Sequence, residues 1–173
     1  GDVYKRQTMN IPETVTTIGS SAFYNCTELT SINIPNSVTK IGSYAFQFCE
    51  AITAITIPES IITIDEYTFH HCSALASINL PNTITEIKAN AFQYCRALAS
   101  ISIPNSVISI GDYAFSDCSA LTSIRIPESV TTIGAGIVTG CTNLTEIQVE
   151  AGNPAYSAVD NILYDKEQTT LIQ

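Results

Sequence analysis

Six cysteines recur at one fixed spacing, and they are the residues with the clearest chemical potential. Thiols can pair as disulfides, ligate a metal ion or act as nucleophiles. Their constant spacing of 23 residues predicts instead one column of side chains pointing the same way, which suits the disulfide dihedral angle poorly. Since free cysteine is among the most buried residue types, we predict a reduced, buried ladder. Its members are Cys26, Cys49, Cys72, Cys95, Cys118 and Cys141.

The only two histidines, His70 and His71, directly precede Cys72. A metal site needs three or four convergent ligands, and adjacent residues rarely converge on one ion. Equivalent places in other repeats hold tyrosine, glutamine, asparagine and phenylalanine, so we interpret the pair as variable surface. The sequence has no nucleophile elbow, no phosphate-binding glycine loop and no histidine spaced to partner a serine or cysteine. It therefore predicts no metal site, no cofactor and no enzymatic activity.

Composition narrows the class of protein further. Sixteen acidic against seven basic residues give a net charge of −9, which argues against a nucleic-acid partner because phosphate binding needs basic patches. With 45% hydrophobic and 13% charged residues, the chain is typical of a folded protein. No apolar run approaches the roughly 20 residues that cross a bilayer, so no membrane insertion of this segment is expected.

The elements that position the cysteines are repeated as well. A hydrophobic residue followed by proline recurs every 23 residues and defines six units over residues 11–148. One such coil cannot bury its own apolar face, so the coils must stack around a continuous core. The pairs are Ile11-Pro12, Ile34-Pro35, Ile57-Pro58, Leu80-Pro81, Ile103-Pro104 and Ile126-Pro127.

The spacing of apolar residues within a unit predicts the shape of a coil. In Ile32–Ile34 the apolar residues alternate with Asn33, which predicts a strand that ends at Pro35. Val38 and Ile41 predict a second short strand, and the apolar residues of 45–49 have the i, i+1, i+4 spacing of a single helical turn. Five phenylalanines at one repeat position should stack inside the coils: Phe23, Phe46, Phe69, Phe92 and Phe115.

The unit Leu-x-x-Ile-x-Ile-Pro-x-x-Val-x-x-Ile-Gly-x-x-Ala-Phe-x-x-Cys resembles the BspA-like (treponemal-type) leucine-rich repeat. This resemblance implies a repeat solenoid of 23-residue coils with a parallel β-sheet on its concave face. It also implies a bacterial cell-surface or secreted protein, and therefore an extracellular location. Relatives of this family are adhesins that bind host extracellular glycoproteins.

The repeats divide the chain into three parts. Residues 1–10 share nothing with the repeat, and residues 1–7 resemble translated sequencing-adapter DNA, so we expect a non-native or unstructured leader. Residues 11–148 form the six leucine-rich repeats. Residues 149–173 resemble the hairpin-forming insert or cap that follows such repeats in the family, and we expect this part to be truncated.

Two surfaces are candidates for ligand contact. Polar residues beside the inward-facing strand position form a concave strip, which is either a recognition surface or simply the solvated face of the sheet. Three tyrosines at one repeat position form either an exposed aromatic row or packing between coils. The strip includes Ser31, Asn33, Thr56, Ser77, Asn79, Ser100, Ser102 and Arg125, together with Ala54, Ser123, Glu146 and Gln148; the row is Tyr44, Tyr67 and Tyr113.

Two functions from different classes follow. The first is a non-catalytic extracellular adhesion module that recognises a protein or glycan through an extended solenoid surface. The alternative is an accessory targeting or spacer region of a larger secreted enzyme. The first is favoured mainly by the family resemblance, which is an argument from association.

Overall fold

The 23-residue units stack into one parallel β-solenoid, as predicted. The computed structural model describes residues 8–173. Each coil contains a second short strand after the proline, and all coils except the one that contains Pro104 also have a first short strand before it. Within the described residues there is no helix long and apolar enough to cross a membrane.

The first strands pair in parallel with a register of one coil. They are β1 (Thr8–Asn10), β3 (Ser31–Asn33), β5 (Ala54–Thr56), β7 (Ser77–Asn79), β10 (Ser123–Ile126) and β12 (Glu146–Val149). Hydrogen-bonded ladders join β1 to β3, β5 to β7 and β10 to β12. The expected sheet is therefore interrupted, and residues 100–102 form no assigned strand. Each first strand is short and ends at a proline, which has no N–H to donate. Few hydrogen bonds can therefore form between neighbouring first strands.

The second strands form a more continuous sheet. They are β2 (Thr17–Ile18), β4 (Lys40–Ile41), β6 (Thr63–Ile64), β8 (Glu86–Ile87), β9 (Ser109–Ile110) and β11 (Thr132–Ile133). Strands β6, β8, β9 and β11 make one four-stranded parallel sheet, and β2 pairs with β4. The coils are thus held together on this side as well as on the side of the first strands.

The segment expected to be a helical turn is instead a chain of tight turns that pairs with the next coil. In the second coil the amides of Tyr44, Phe46 and Phe48 donate to carbonyls of the third coil at 3.0, 2.9 and 2.9 Å. The alternate amides close turns to the carbonyl three residues earlier. In a helix all these amides would donate to carbonyls of the same coil. The prediction of a helical turn was therefore wrong.

Two residues in each turn segment have a left-handed backbone. Their φ values lie between 55° and 76°, and this conformation alternates the amides between the coil itself and its neighbour. Outside glycine, asparagine and aspartate it is uncommon. The first position holds Ser21, Tyr44, Tyr67, Asn90, Tyr113 and Gly136, and the second holds Asn25, Phe48, His71, Tyr94, Asp117 and Gly140.

The core contains a phenylalanine stack beside a column of thiols. Consecutive rings from Phe23 to Phe115 lie 5.2–5.5 Å apart with interplanar angles of 3–9°. All six cysteines are free and buried. From Cys49 to Cys141 each thiol donates to the phenylalanine carbonyl of the preceding coil, at 3.1–3.2 Å. Each coil is therefore linked to its neighbour inside the core.

The N-terminal boundary of the solenoid lies earlier than expected. Residues Thr8–Asn10 form strand β1 and pair with Ser31–Asn33 in the same register as later coils. Placing these three residues in an unstructured leader was wrong, because Met9 takes the half-buried position that isoleucine occupies in other coils. The rest of the expected leader, residues 1–7, lies outside the described residues.

The C-terminal tail covers the last coil. An antiparallel hairpin of β13 (Tyr156–Val159) and β14 (Ile162–Asp165) follows the sixth repeat. The buried Asn153 amide donates to the carbonyls of Pro127 and Val130 at 2.7 and 2.9 Å, and its oxygen accepts two amides of the tail. This side chain takes the place of backbone groups that another coil would supply.

Replacing a phenylalanine of the stack by alanine should lower the stability of the protein most in the middle of the stack. We expect Phe69→Ala to lower the free energy of unfolding by about 3–5 kcal/mol, since Phe69 is fully buried between two rings. The matched variant Phe23→Ala should cost clearly less, because Phe23 is half-buried and stacks on one ring. Urea denaturation measures both. Equal losses would contradict a continuous internal stack.

At the left-handed positions, a residue that disfavours positive φ should destabilise the protein. Gly140→Ala is expected to destabilise the protein by about 1 kcal/mol or more, because φ is +76° and the new Cβ would meet the Asp117 carboxylate. Gly19→Ala is the control, since its Cβ would meet nothing within 4 Å and its φ is not left-handed. Thermal unfolding of both variants should separate them, and a harmless Gly140→Ala would refute the turn geometry.

Candidate functional site

The polar residues of the first strands form one exposed surface, which we call the strand face. Each inward-facing residue is flanked on both sides by outward-facing ones, and the parallel register aligns these in rows across the coils. Eleven of the twelve predicted strip residues are exposed, and Ser123 is half-buried; the exposed ones are Ser31, Asn33, Ala54, Thr56, Ser77, Asn79, Ser100, Ser102, Arg125, Glu146 and Gln148. Placement on one surface follows from the structure, whereas a contact with any ligand stays a prediction.

The C-terminal end of the strand face is occupied by its own side chains. Arg125 forms an ion pair with Glu150 at 2.8 Å. The Gln148 amide donates to the Glu146 carboxylate at 2.7 Å. A ligand that bound here would have to break these contacts first.

The N-terminal end is open, and we call its first four coils the open half. Two parallel rows line it: Asn10, Asn33, Thr56 and Asn79 on the strands, and Glu13, Asn36, Glu59 and Asn82 just beyond the prolines. Within the described residues these side chains form no hydrogen bond or ion pair. A shallow depression of about 560 Å³ lies here, and among residues 8–173 its charged lining residues are the two acids Glu13 and Glu59.

The predicted tyrosine row is only partly continuous. Tyr44 and Tyr67 stack with ring centroids 4.9 Å apart and an interplanar angle of 9°. Tyr113 is separated from them by Asn90 in the fourth coil, and its ring lies against Gly136. Tyr44 and Tyr113 are exposed, whereas Tyr67 is half-buried. The tyrosine row therefore shows both of the expected features, because its rings pack between coils and are partly exposed at the surface.

The sequence analysis missed a second aromatic cluster, which lies at the second left-handed position of the turn segments, four residues after the first. Phe48 and His71 lie 4.9 Å apart, and His71 and Tyr94 lie 4.3 Å apart, between ring centroids. Tyr24 extends the cluster at one end, and the guanidinium of Arg96 lies 5.6 Å from the centre of the Tyr94 ring at the other. Asparagine, aspartate and glycine at the equivalent places of other repeats signalled the left-handed backbone that aligns these rings.

His70 is a buried residue and not the surface residue that we predicted. Its ring is 9% exposed, and Nδ1 lies 2.9 Å from the Gln47 side-chain amide of the preceding coil. Burial and the neighbouring His71 lower the pKa of His70 from 6.5 to about 4, so the ring is neutral at pH 7. A neutral ring held by glutamine fits packing between coils.

The cysteine column is chemically quiet. Burial raises the pKa of Cys49 to about 12 and that of Cys141 to about 11, and it raises those of Cys72 and Cys95 well above the ordinary value. The reactive form of cysteine is the thiolate, which is scarce at these pKa values. Within the range 8–173 no group of three or more His, Cys, Asp or Glu side chains is arranged to hold a metal ion.

The repeat geometry agrees with a match to a known family. The model of the BspA-type leucine-rich repeat region matches in six copies, over residues 3–100 and 85–162. The chain belongs to this family. No curated protein matches it.

Solved structures of bacterial leucine-rich repeat proteins share the fold. A leucine-rich cell surface protein from Faecalibacterium prausnitzii A2-165 is 38% identical, with 96% of this chain and 45% of that chain covered and a TM-score of 0.83. A leucine-rich repeat protein from Bacteroides ovatus is also 38% identical, with coverage of 81% and 39% and a TM-score of 0.77. This chain spans less than half the length of both proteins.

A leucine-rich repeat protein of T. pallidum is more distant. It is 27% identical, with 84% of this chain and 72% of that chain covered and a TM-score of 0.56. These likenesses are to leucine-rich repeat proteins.

The buried histidine should make stability depend on pH. The native pKa of about 4 lies below the ordinary 6.5, so the unfolded state binds more protons between these values. Stability from His70 is therefore complete above about pH 6.5 and falls as the pH is lowered towards 4. We expect His70→Gln to remove this part of the acid sensitivity, because glutamine already occupies positions 47 and 93.

Urea midpoints at pH 7.5 and 4.5 measure the effect. His71→Gln serves for comparison, and its effect should be smaller because His71 is less buried. An unchanged acid sensitivity in His70→Gln would contradict the burial of a neutral ring.

Proposed function

We propose that this chain is a non-catalytic extracellular binding module that recognises a protein or glycan through the strand face. The observation that carries the proposal is the open half, where amide and hydroxyl side chains on consecutive coils are exposed and have no hydrogen-bond partner among residues 8–173. Such groups have hydrogen-bonding capacity that the protein itself does not use. Elsewhere on the same face Arg125 already forms an ion pair with Glu150 of the same chain.

Rigidity of the scaffold supports the same proposal. The inward-facing residues of the first strands belong to the same core as the stacked phenylalanine rings, and side-chain hydroxyls connect the coils as well. Ser37, Ser60, Thr83, Ser106 and Ser129 each donate to a carbonyl of the preceding coil. A face held in this way loses little conformational entropy when a ligand binds.

A non-catalytic role is supported by the state of the groups that could do chemistry. The thiols are buried and protonated, and His70 is neutral and held by Gln47. An extracellular location is supported by the relative from Faecalibacterium prausnitzii, which is described as a cell surface protein.

The test is a binding screen with variants that block the strand face. The purified chain is applied to a panel of extracellular matrix proteins and glycans, and binding is followed by biolayer interferometry. Asn33→Lys with Asn79→Lys should abolish binding of any ligand found, because two long charged side chains then project from the open half. We expect dissociation constants in the micromolar range.

A matched control places the same charges elsewhere. Ile62→Lys with Ile108→Lys adds two lysines at exposed positions beside the second strands, 59% and 52% exposed in the native chain. This variant should bind as the native chain does. Loss of binding in both variants, or no ligand in the panel, would count against recognition through the strand face.

A further inference from the structure

We infer that two copies of this chain associate through the aromatic cluster of the turn segments, formed by Phe48, His71 and Tyr94. The two copies lie antiparallel, about a two-fold axis that crosses the solenoid at its third coil. This inference goes beyond the proposed function, because the interface contains no residue of the strand face. Its support comes from the exposed rings and from two unpaired charges that flank them.

The aromatic cluster forms a continuous surface over three successive coils. Between centroids, the ring of His71 lies 4.9 Å from that of Phe48 and 4.3 Å from that of Tyr94. All three side chains are half-buried, so each still offers part of its surface to solvent. Tyr24 extends the surface at one end and is 50% exposed. Aromatic residues are enriched at protein interfaces, so this surface suits contact with another protein chain.

Two charges of opposite sign lie beside the cluster. Glu50 and Arg96 occupy one repeat position, two residues after Phe48 and Tyr94 respectively. Both are exposed, and within the range 8–173 neither forms an ion pair. Burial lowers the pKa of His71, Arg96 lowers it further and Glu50 raises it, so both charges act on the middle of the cluster.

The order of these residues makes the surface self-complementary. Glu50 lies one coil before the third coil, and Arg96 lies one coil after it. A two-fold axis across the third coil, perpendicular to the stacking direction, reverses this order in the second copy. Glu50 of each copy then faces Arg96 of the other, and Phe48 of each copy faces Tyr94 of the other. The dimer therefore gains two ion pairs that a single copy does not form.

Charge also excludes other arrangements and limits the interface. Parallel copies would place Glu50 opposite Glu50 and Arg96 opposite Arg96, and such like-charge contacts are unfavourable. The exposed Glu66 of the third coil directly precedes Tyr67, and on this axis it would face its own copy. The interface therefore ends between the aromatic cluster and the tyrosine row.

Sedimentation equilibrium of the full chain measures the association. At about 0.15 M salt we expect a monomer–dimer equilibrium with a dissociation constant of about 100 µM, because exposed ion pairs each contribute little. A chain that stays monomeric up to about 1 mM overturns the inference, and so does a cluster that binds a glycan while the chain stays monomeric.

Charge reversal tests the two ion pairs. Glu50→Arg alone, or Arg96→Glu alone, turns both pairs into like-charge contacts and should weaken the dimer about tenfold. The double variant exchanges the charges at constant net charge and should restore the native dissociation constant. Glu13→Arg and Lys40→Glu change the net charge by the same amounts at exposed positions outside the interface, and each should weaken the dimer much less. A double variant as weak as the single ones overturns the inference.

A cysteine placed on the predicted axis locates the interface. Ser73 occupies the repeat position of Glu50 and Arg96 in the third coil, so it meets its own copy. Ser73→Cys should therefore give a disulfide-linked dimer when copper phenanthroline oxidises the two thiols. The control Ser119→Cys lies at the same position of the fifth coil, away from the axis, and should stay monomeric.

The two serines are both half-buried, and the native thiols are buried, so the native chain supplies the baseline. Equal crosslinking of the two cysteine variants would contradict the predicted axis. The proposed function is tested separately, because Glu50→Arg leaves the strand face unchanged and should bind any ligand of that face as the native chain does.

Discussion

In every coil of this solenoid, many backbone N–H and C=O groups form their hydrogen bonds with the neighbouring coils. Buried amide and carbonyl groups must be paired, and a 23-residue coil is too short to pair them within itself. The turn segments therefore donate to the next coil at a constant offset, whereas the amides beside the second strands and the thiols donate to the preceding coil. This requirement fixes the repeat length, since an inserted residue would shift every later donor away from its acceptor.

The stacked core and the strand face both follow from that constant offset. Once the backbone register is fixed, identical side chains must lie above one another, which explains the phenylalanine stack and the aligned polar rows. The polar rows on the open half are then spaced by the backbone. The proposed recognition through the strand face depends on this, because a flexible face would not keep these rows aligned.

Much of this could be predicted from the sequence, because a fixed period of proline, phenylalanine and cysteine determines which side chains stack. The turn segment could not, since the spacing of Ala45 and Cys49 fits a helical turn and a pair of tight turns equally well. The left-handed backbone at Tyr44 and Phe48 was hidden for the same reason, as large aromatic residues rarely adopt it and only their equivalents in other coils signal it.

The candidate site was predictable in outline only. Alternation within Ser31–Asn33 places the polar residues outside, but the pairing of Arg125 with Glu150, which separates a closed end from an open one, depends on side-chain geometry. His70 was misread because its neighbours in the repeat are polar, whereas its burial arises from packing against adjacent coils. The start of the solenoid was missed because Thr8–Asn10 carries methionine where other coils carry isoleucine.

Amide hydrogen exchange tests the dependence on inter-coil hydrogen bonds most directly. The amides of Phe46, Phe69 and Phe92 lie in turn segments and donate to the next coil at 2.8–2.9 Å. They should exchange as slowly as amides of the second strands, with protection close to the global free energy of unfolding. If these three amides exchanged like those of solvent-exposed loops, the coils would not be joined through their turns, and the account of a rigid, backbone-spaced strand face would be contradicted.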